Sequence, residues 1–310
     1  MRAEHVARLV QVARWYYEDG VNQSGIAARL GISRPLVSRL LSEARAAGIV
    51  EIRIRNPEER RESLTEALLA RTGLSGCILV PDGRDDGETN RALVRGVLDF
   101  IEQKKPEILG LGWGHFVGEM VESLQESPRR KSGVDRVCPL LGNAGIPVRF
   151  YQSNENVRLL ADGLGAVPSF LYLPALAESI EEKQILCSTE LYRQMEGEWG
   201  KMDAALINIG NYPSTPDFAS SARYGSLLSE QHACGRLLAY FFNEKGTIIQ
   251  SDKDPAIQIP LTLLKQCPCR VGLCSANTSI HAVRGALRTG IFTHVAMREA
   301  LAEELMKGDR

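Results

Sequence analysis

Apolar positions in the first fifty residues recur with a helical period. Val6, Leu9, Val10, Ala13 and Tyr17 fall at i, i+3, i+4, i+7 and i+11, which is one face of a helix. Asp19-Gly20 closes it, because glycine accepts the left-handed backbone found just past a helix end. Asn22 suits the N-cap of a short second helix, with Ile26, Ala27 and Leu30 inward and Gly31 behind it. Ser33 is placed to cap a third helix, and Pro35 falls in its first turn, where a missing N–H costs little. The inward stripe of that helix is Leu36, Val37, Leu40, Leu41 and Ala44, and Gly48 stops it. Ile49 to Ile54 then alternates with period two, like a half-buried strand. Residues 1–56 therefore predict a helix-turn-helix carrying a wing.

Pro57 breaks the wing. A charged helix over 57–72 follows, with Leu64, Leu68 and Leu69 on one side, and it serves as a linker reaching residue 74. From 75 to 310 the pattern becomes strand, turn, helix, repeated. The predicted strands are Cys77–Val80, Glu107–Gly112, Arg136–Leu141, Phe170–Leu173, Ala204–Ile209, Arg270–Cys274 and Phe292–Ala296. Amphipathic helices fall at about 88–103, 115–126, 154–165, 228–242, 279–289 and 298–307. Such alternation specifies an α/β domain with a mostly parallel sheet, which binds ligands beyond the carboxyl ends of its strands.

Charge changes this picture more than composition does. The 310 residues are 44% hydrophobic and 24% charged, ordinary for a soluble chain. No apolar run reaches the ~18 residues of a membrane span, and the first residues carry no signal-peptide core. A cytoplasmic protein with no membrane partner is expected. The seven cysteines are scattered and have no metal-ligand spacing, so they are expected to be reduced and mostly buried, with neither metal nor cofactor. Residues 1–56, however, hold nine arginines and five acids, a balance of +4, so the remaining 254 residues sum to −5. A basic head on an acidic body points to a polyanionic partner. On the third helix Arg34, Ser38, Arg39, Ser42 and Arg45 fall outside the apolar stripe. Arginine can fork onto guanine or phosphate, and serine adapts to either. Double-stranded operator DNA is the predicted partner, read by Ser33, Arg34, Ser38, Arg39 and Arg45, with Gln23 positioning the backbone.

The stretches Gln23-Ser24-Gly25-Ile26-Ala27 and Ile32-Ser33-Arg34-Pro35-Leu36-Val37-Ser38-Arg39-Leu40-Leu41, followed by Ala44 and Gly48-Ile49-Val50, resemble the DNA-binding head of the SorC family. These are bacterial transcriptional regulators that respond to sugars or sugar phosphates. The resemblance extends through nearly the whole chain. It implies a Rossmann-like effector domain related to sugar-phosphate isomerases, a tetramer, and a linker helix that helps pair subunits, although a solvated connecting helix would show the same pattern.

Several strand-end loops match the family in order. Gly110-Leu111-Gly112-Trp113-Gly114-His115 follows a strand and opens a helix, where glycines let a backbone approach a ligand and helix N–H groups face an anion. Cys138 to Asn143, containing Gly142, resembles the next strand end. Leu173-Pro174-Ala175 resembles a strand exit flanking the effector pocket, and Asp203 to Gly210 resembles the third glycine-bearing end. The last third departs from the family. Arg236 stands where an acid is usual, and the turn Ser275-Ala276-Asn277-Thr278-Ser279 has Ser279 in place of a lysine. A lysine could neutralise a phosphate, which Ser279 cannot do. A small carbohydrate-like effector, as a sugar, polyol or phosphate, is therefore expected across Gly112, Trp113, Gly114, His115, Gly142, Pro174, Gly210, Arg236, Ser275, Asn277 and Ser279. The leading expectation is a non-enzymatic regulator of a carbohydrate-catabolism operon. The alternatives are a regulator whose body only oligomerises and an isomerase-like enzyme.

Overall fold

The computed structural model describes residues 3–52, 56–129, 131–215 and 219–308. The chain divides into two units, Met1–Pro57 and Glu58–Arg310. In the first, α1 (Ala3–Tyr17), α2 (Gln23–Leu30) and α3 (Arg34–Ala46) close around Leu9, Val12, Ile26, Val37, Leu40, Leu41 and Ala44. Asn22 caps α2 by accepting from the Gly25 amide at 2.8 Å, and Gly31 ends it in the left-handed region at φ 62°.

Four details of the head differ from the sequence pattern. Tyr17 is 40% exposed and Val12 takes a buried place, because the apolar stripe of α1 stops where the chain turns away. Leu36 is 39% exposed, so the inward arc of α3 begins at Val37. Ser33 holds the N-cap backbone position of α3, yet its side chain makes no cap bond. Ile49–Ile52 form no strand. The amides of Ile49 and Val50 turn back onto the Ala44 carbonyl at 2.9 and 3.3 Å, which removes them from any ladder. Arg53 and Ile54 of the expected wing lie outside the described residues.

The second unit begins with α4 (Pro57–Thr72). Leu68 is fully buried in the main core, Arg61 pairs with Glu299 at 2.6 Å, and Arg60 pairs with Glu303. This helix is thus a packed part of the body. There follow β1 (Gly76–Val80), α5 (Asp86–Lys104), β2 (Ile108–Leu111), α6 (His115–Glu126), β3 (Arg136–Pro139), α7 (Ser153–Leu164) and β4 (Val167–Pro168). Next come α8 (Ile180–Cys187), α9 (Glu190–Trp199), β5 (Ala204–Asn211), α10 (Ser220–Tyr224), α11 (Leu227–Glu230), β6 (Ala233–Leu237), β7 (Tyr240–Asn243) and β8 (Ile248–Ile249). The chain finishes with α12 (Leu261–Gln266), β9 (Cys269–Leu273), α13 (Ile280–Arg288), β10 (His294–Arg298) and α14 (Glu299–Lys307).

Seven strands make a parallel sheet in the order β1-β10-β9-β5-β2-β3-β4. Its two faces bury separate apolar layers, as the period of two requires. Along β5, Ala204 and Leu206 face one layer while Ala205, Ile207 and Ile209 face the other. β2 and β5 are neighbours, but the chain leaves β2 toward β3 and leaves β5 toward β9, in opposite directions across the sheet. This is a topological switch point, where the strand-end loops diverge and leave a crevice.

β5 outruns its parallel neighbours, and its last residues, Ile209–Asn211, pair antiparallel with β6. The β6–β7 hairpin replaces the helix expected over 228–242; only the short α11 falls there. The expected strand at Phe170–Leu173 is also absent. The Leu171 amide donates to the Asn154 carboxamide at 3.0 Å, and its carbonyl accepts from Asn143 and Asn154 at 3.3 and 3.2 Å. Side chains thus take the ladder's place, and the strand paired with β3 is Val167–Pro168.

Candidate functional sites

The head presents one mainly polar face. Arg34, Ser38, Arg39, Ser42 and Arg45 of α3 are all exposed, while the opposite arc of the same helix is closed in the core. Gln23 is half-buried as the first residue of α2, and Ser33 is exposed at the start of α3. One acid interrupts the face: Glu43 lies 3.4 Å from Arg39 Nε and 3.1 Å from His5 Nε2. Arg29 is drawn aside, its guanidinium 5.5 Å above the Trp15 ring. Exposed arginines on a rigid helix can fork onto base edges or phosphates without disturbing the fold beneath them.

The crevice of the body sits at the switch point. Gly112 donates to the Leu206 carbonyl at 2.9 Å, which pins the loop after β2 against β5. Gly114 has φ 122°, and a Cβ there would lie 3.1 Å from the Asn208 side chain. Its amide donates to the Phe150 carbonyl at 3.1 Å, so that N–H is not open to an anion. Trp113, Gly114, Tyr151, Asn208, Arg236 and Leu238 enclose a cavity of about 10 Å³, room for roughly one water.

Arg236 reaches this cavity from β6 and is 8% exposed. It crosses Gly210, whose missing side chain makes room: a Cβ there would meet Arg236 Cγ at 3.2 Å and Nε at 3.3 Å. The Tyr151 hydroxyl bonds to Arg236; burial raises the tyrosine pKa above its ordinary value, and the neighbouring cation opposes that rise. The Trp113 ring stands edge-on to Tyr151 at 5.5 Å, and its Nε1 donates to the Leu238 carbonyl at 3.4 Å. The site therefore joins a buried cation, a phenol and a carboxamide under an indole lid.

The expected effector residues fall into four groups. Trp113, Gly114 and Arg236 line the cavity, with Gly112 and Gly210 packed immediately behind. Gly142 and Pro174 pack against each other: a Cβ on Gly142 would lie 2.3 Å from the Pro174 carbonyl oxygen, so that glycine serves chain packing and lies outside the lining. His115 is exposed, with its ring 4.8 Å from that of Phe150. The Ser275–Ser279 turn is held by Asn211, which donates to the Asn277 carbonyl at 3.1 Å and accepts from the Ser279 amide at 2.8 Å. Ser275 bonds to Asn277 at 2.7 Å, and Ser279 caps α13 through the Ala282 amide at 3.2 Å. Three lining residues escaped the sequence reading. Asn208 stood in a recognised strand end and could have been found. Leu238 was hidden by the expected helix, and Tyr151 carries no local signal.

Every described cysteine has a pKa raised by burial or sits in the core, which leaves no activated thiol among the described residues. No described helix is long and apolar enough to cross a membrane.

Comparison with known proteins follows the same division. A family model described as "Putative sugar-binding domain" matches residues 57–307, and one described as "MarR family" matches 14–62. The chain is 27% identical to the Sorbitol operon regulator of Klebsiella pneumoniae, covering 98% of this chain and 99% of that one. It is 28% identical to the Deoxyribonucleoside regulator of Bacillus subtilis (strain 168), covering 92% of each. The crystal structure of full-length SorC from Klebsiella pneumoniae superposes with a TM-score of 0.71 at 24% identity, covering 97% and 99%. A DeoR family transcriptional regulator from Listeria monocytogenes gives a TM-score of 0.67 at 21% identity, covering 78% and 98%. With residues 57–307 matched by the sugar-binding-domain model and most of the head by a second family model, the chain belongs to the SorC family of transcriptional regulators.

Proposed function

We propose that this protein is a cytoplasmic transcriptional regulator that binds operator DNA through its head and answers to a small carbohydrate-like effector held by its body. The observation that carries the DNA half is the exposed face of α3, where Arg34, Ser38, Arg39 and Arg45 stand clear of a closed apolar core. Arg34 and Arg39 read base edges or phosphates, Ser33 and Ser38 adapt to either, and Gln23 and Arg45 fix the register on the backbone. Because one small head covers too little sequence, an even-numbered oligomer, a tetramer, presents paired heads to a symmetric operator.

For the effector half, the support is the crevice at the switch point, with Arg236, Tyr151 and Asn208 converging beneath Trp113. Arg236 supplies a planar cation for a carboxylate or phosphate where the family's lysine and acid are missing. Metabolites of this class point to an operon for carbohydrate use. The test has two parts. Duplexes selected from a random library by the full-length protein give the operator; a melting-temperature screen against sugars, polyols and their phosphates gives the effector. Failure to select any duplex ends the DNA reading.

One observation favours a second reading. A cavity of about 10 Å³ holds no sugar in this conformation, which is what a body that only assembles subunits would show. The screen separates the two, since a ligand that binds the native state raises its melting temperature. No shift with any compound leaves oligomerisation as the function of the body.

A further inference from the structure

The first turn of α3 carries two exposed apolar residues where the sequence pattern expected at most one. Pro35 is exposed, and Leu36, expected in the core, is 39% exposed and is not packed into it. At about 3.6 residues per turn, Pro35 falls in angle between Ser38 and Arg39, in the middle of the polar face. Leu36 borders the same face beyond Arg39.

We propose that Pro35 and Leu36 form an apolar edge that reads the C5-methyl group of thymine in the operator, adding a base-specific contact that the arginines cannot supply. The residues at the start of a recognition helix are those that reach base edges in the major groove. The thymine methyl is the one apolar group exposed there, and apolar side chains are its partners. Pro35 loses little by lacking an N–H in the first helical turn, and its ring is rigid, so it can be buried against a methyl with little loss of freedom. Exposed apolar surface among arginines gains nothing from water and fits an occupant that is itself apolar at one point and polyanionic around it. Duplex DNA has that composition. The inference rests on the DNA-binding reading above and adds to it the identity of a base.

The test uses the full-length protein and an operator duplex recovered by selection from a random library. Each thymine is replaced singly by deoxyuridine, which removes only the methyl group. For the wild type, at least one replacement per half-site should lower affinity about fourfold, the factor given by ~0.8 kcal/mol for one buried methyl group at 1.4 kcal/mol per tenfold. For the Pro35→Ala, Leu36→Ala double variant the same replacement should have almost no effect, while the unmodified operator is still bound. If no thymine matters to the wild type, or the double variant remains equally sensitive, the proposal is overturned while DNA binding stands. A double variant that weakens on all duplexes alike and changes oligomeric mass would make this edge a protein contact, which also overturns it. If no duplex is recovered, the DNA-binding reading itself fails.

Discussion

The two candidate sites are built in opposite ways. On the head, the α3 side chains assigned to recognition are exposed and the helix beneath them is fixed by a closed core. In the body, Arg236 and Tyr151 are buried and Asn208 is half-buried, and the hairpin that brings Arg236 also supplies Leu238 to the cavity wall. The hairpin turn is itself held from three sides. Trp113 donates to the Leu238 carbonyl, Gln258 accepts from the Ala239 amide at 2.8 Å, and Arg223 donates to the Ala239 carbonyl at 2.7 Å. A surface that meets a polymer can be displayed in advance, because its partner arrives already shaped. A crevice for a small polar molecule must strip that molecule of water, and a ligand shifts the protein only by binding two of its forms differently.

This contrast can be broken from either side. The largest effect belongs to the head: an Arg34→Ala, Arg39→Ala double variant should lose about 1–3 kcal/mol of operator binding per bidentate arginine, read by gel shift. Its melting temperature should barely move, because both side chains are exposed. An unchanged affinity would remove these residues from the interface.

Removing a single cation from the body should act on stability. Arg223 is 2% exposed and pairs with Asp254 at 2.8 Å, while Asp254 also accepts from the Tyr224 hydroxyl at 2.9 Å. Arg223→Ala leaves the partly buried Asp254 carboxylate with only the Tyr224 hydroxyl and the Ala256 amide, and should cost about 3 kcal/mol. Urea unfolding measures it, and a loss below ~1 kcal/mol would mean that the hairpin turn does not depend on this network.

Alkaline pH distinguishes the units next. All seven cysteines lie in the body, and burial pushes the Cys274 thiol up to about 12 from an ordinary 9.0. Below pH 9 the thiol is protonated in both folded and unfolded chains, so its contribution is constant. Between pH 9 and 12 the unfolded chain releases the proton and the folded one does not, so stability falls by about 1.4 kcal/mol per pH unit. Cys274→Ala should flatten the urea-midpoint slope over pH 9–11 by about that amount; an unchanged slope would place the loss elsewhere.

The smallest effect separates structural from recognising polar residues within the head. Asn22→Ala removes a formed cap and should cost about 1 kcal/mol. Ser33→Ala removes none and should stay within about 0.5 kcal/mol, yet weaken operator binding. A Ser33→Ala loss as large as that of Asn22→Ala in thermal melts would make Ser33 a cap after all.

The sequence by itself determined the elements whose signals are local. The helices of the head are set by period, caps and glycines, and so are β1, α5, β2, α6 and the C-terminal β9-α13-β10-α14 run. The loop Gly112-Trp113-Gly114 was legible for the same reason, since a glycine turn between a strand and a helix declares itself in the residues. Tertiary structure alone decided the rest. Nothing local marks a turn at Leu238-Ala239, where a leucine takes φ 52°, because the bonds that hold it come from Trp113, Gln258 and Arg223, far away in the chain. The stretch over 228–242 satisfies a helical period equally well, and the hairpin is fixed by those bonds together with pairing to the free end of β5 and to β8. Phe170–Leu173 has strand-like residues but lost its ladder to two asparagines. Leu36 carries the period of a core residue and was left outside because the core of α3 was already filled by Val37, Leu40, Leu41 and Ala44. Period records which residues share a face; which face is covered depends on what packs against it, and that is settled only in three dimensions.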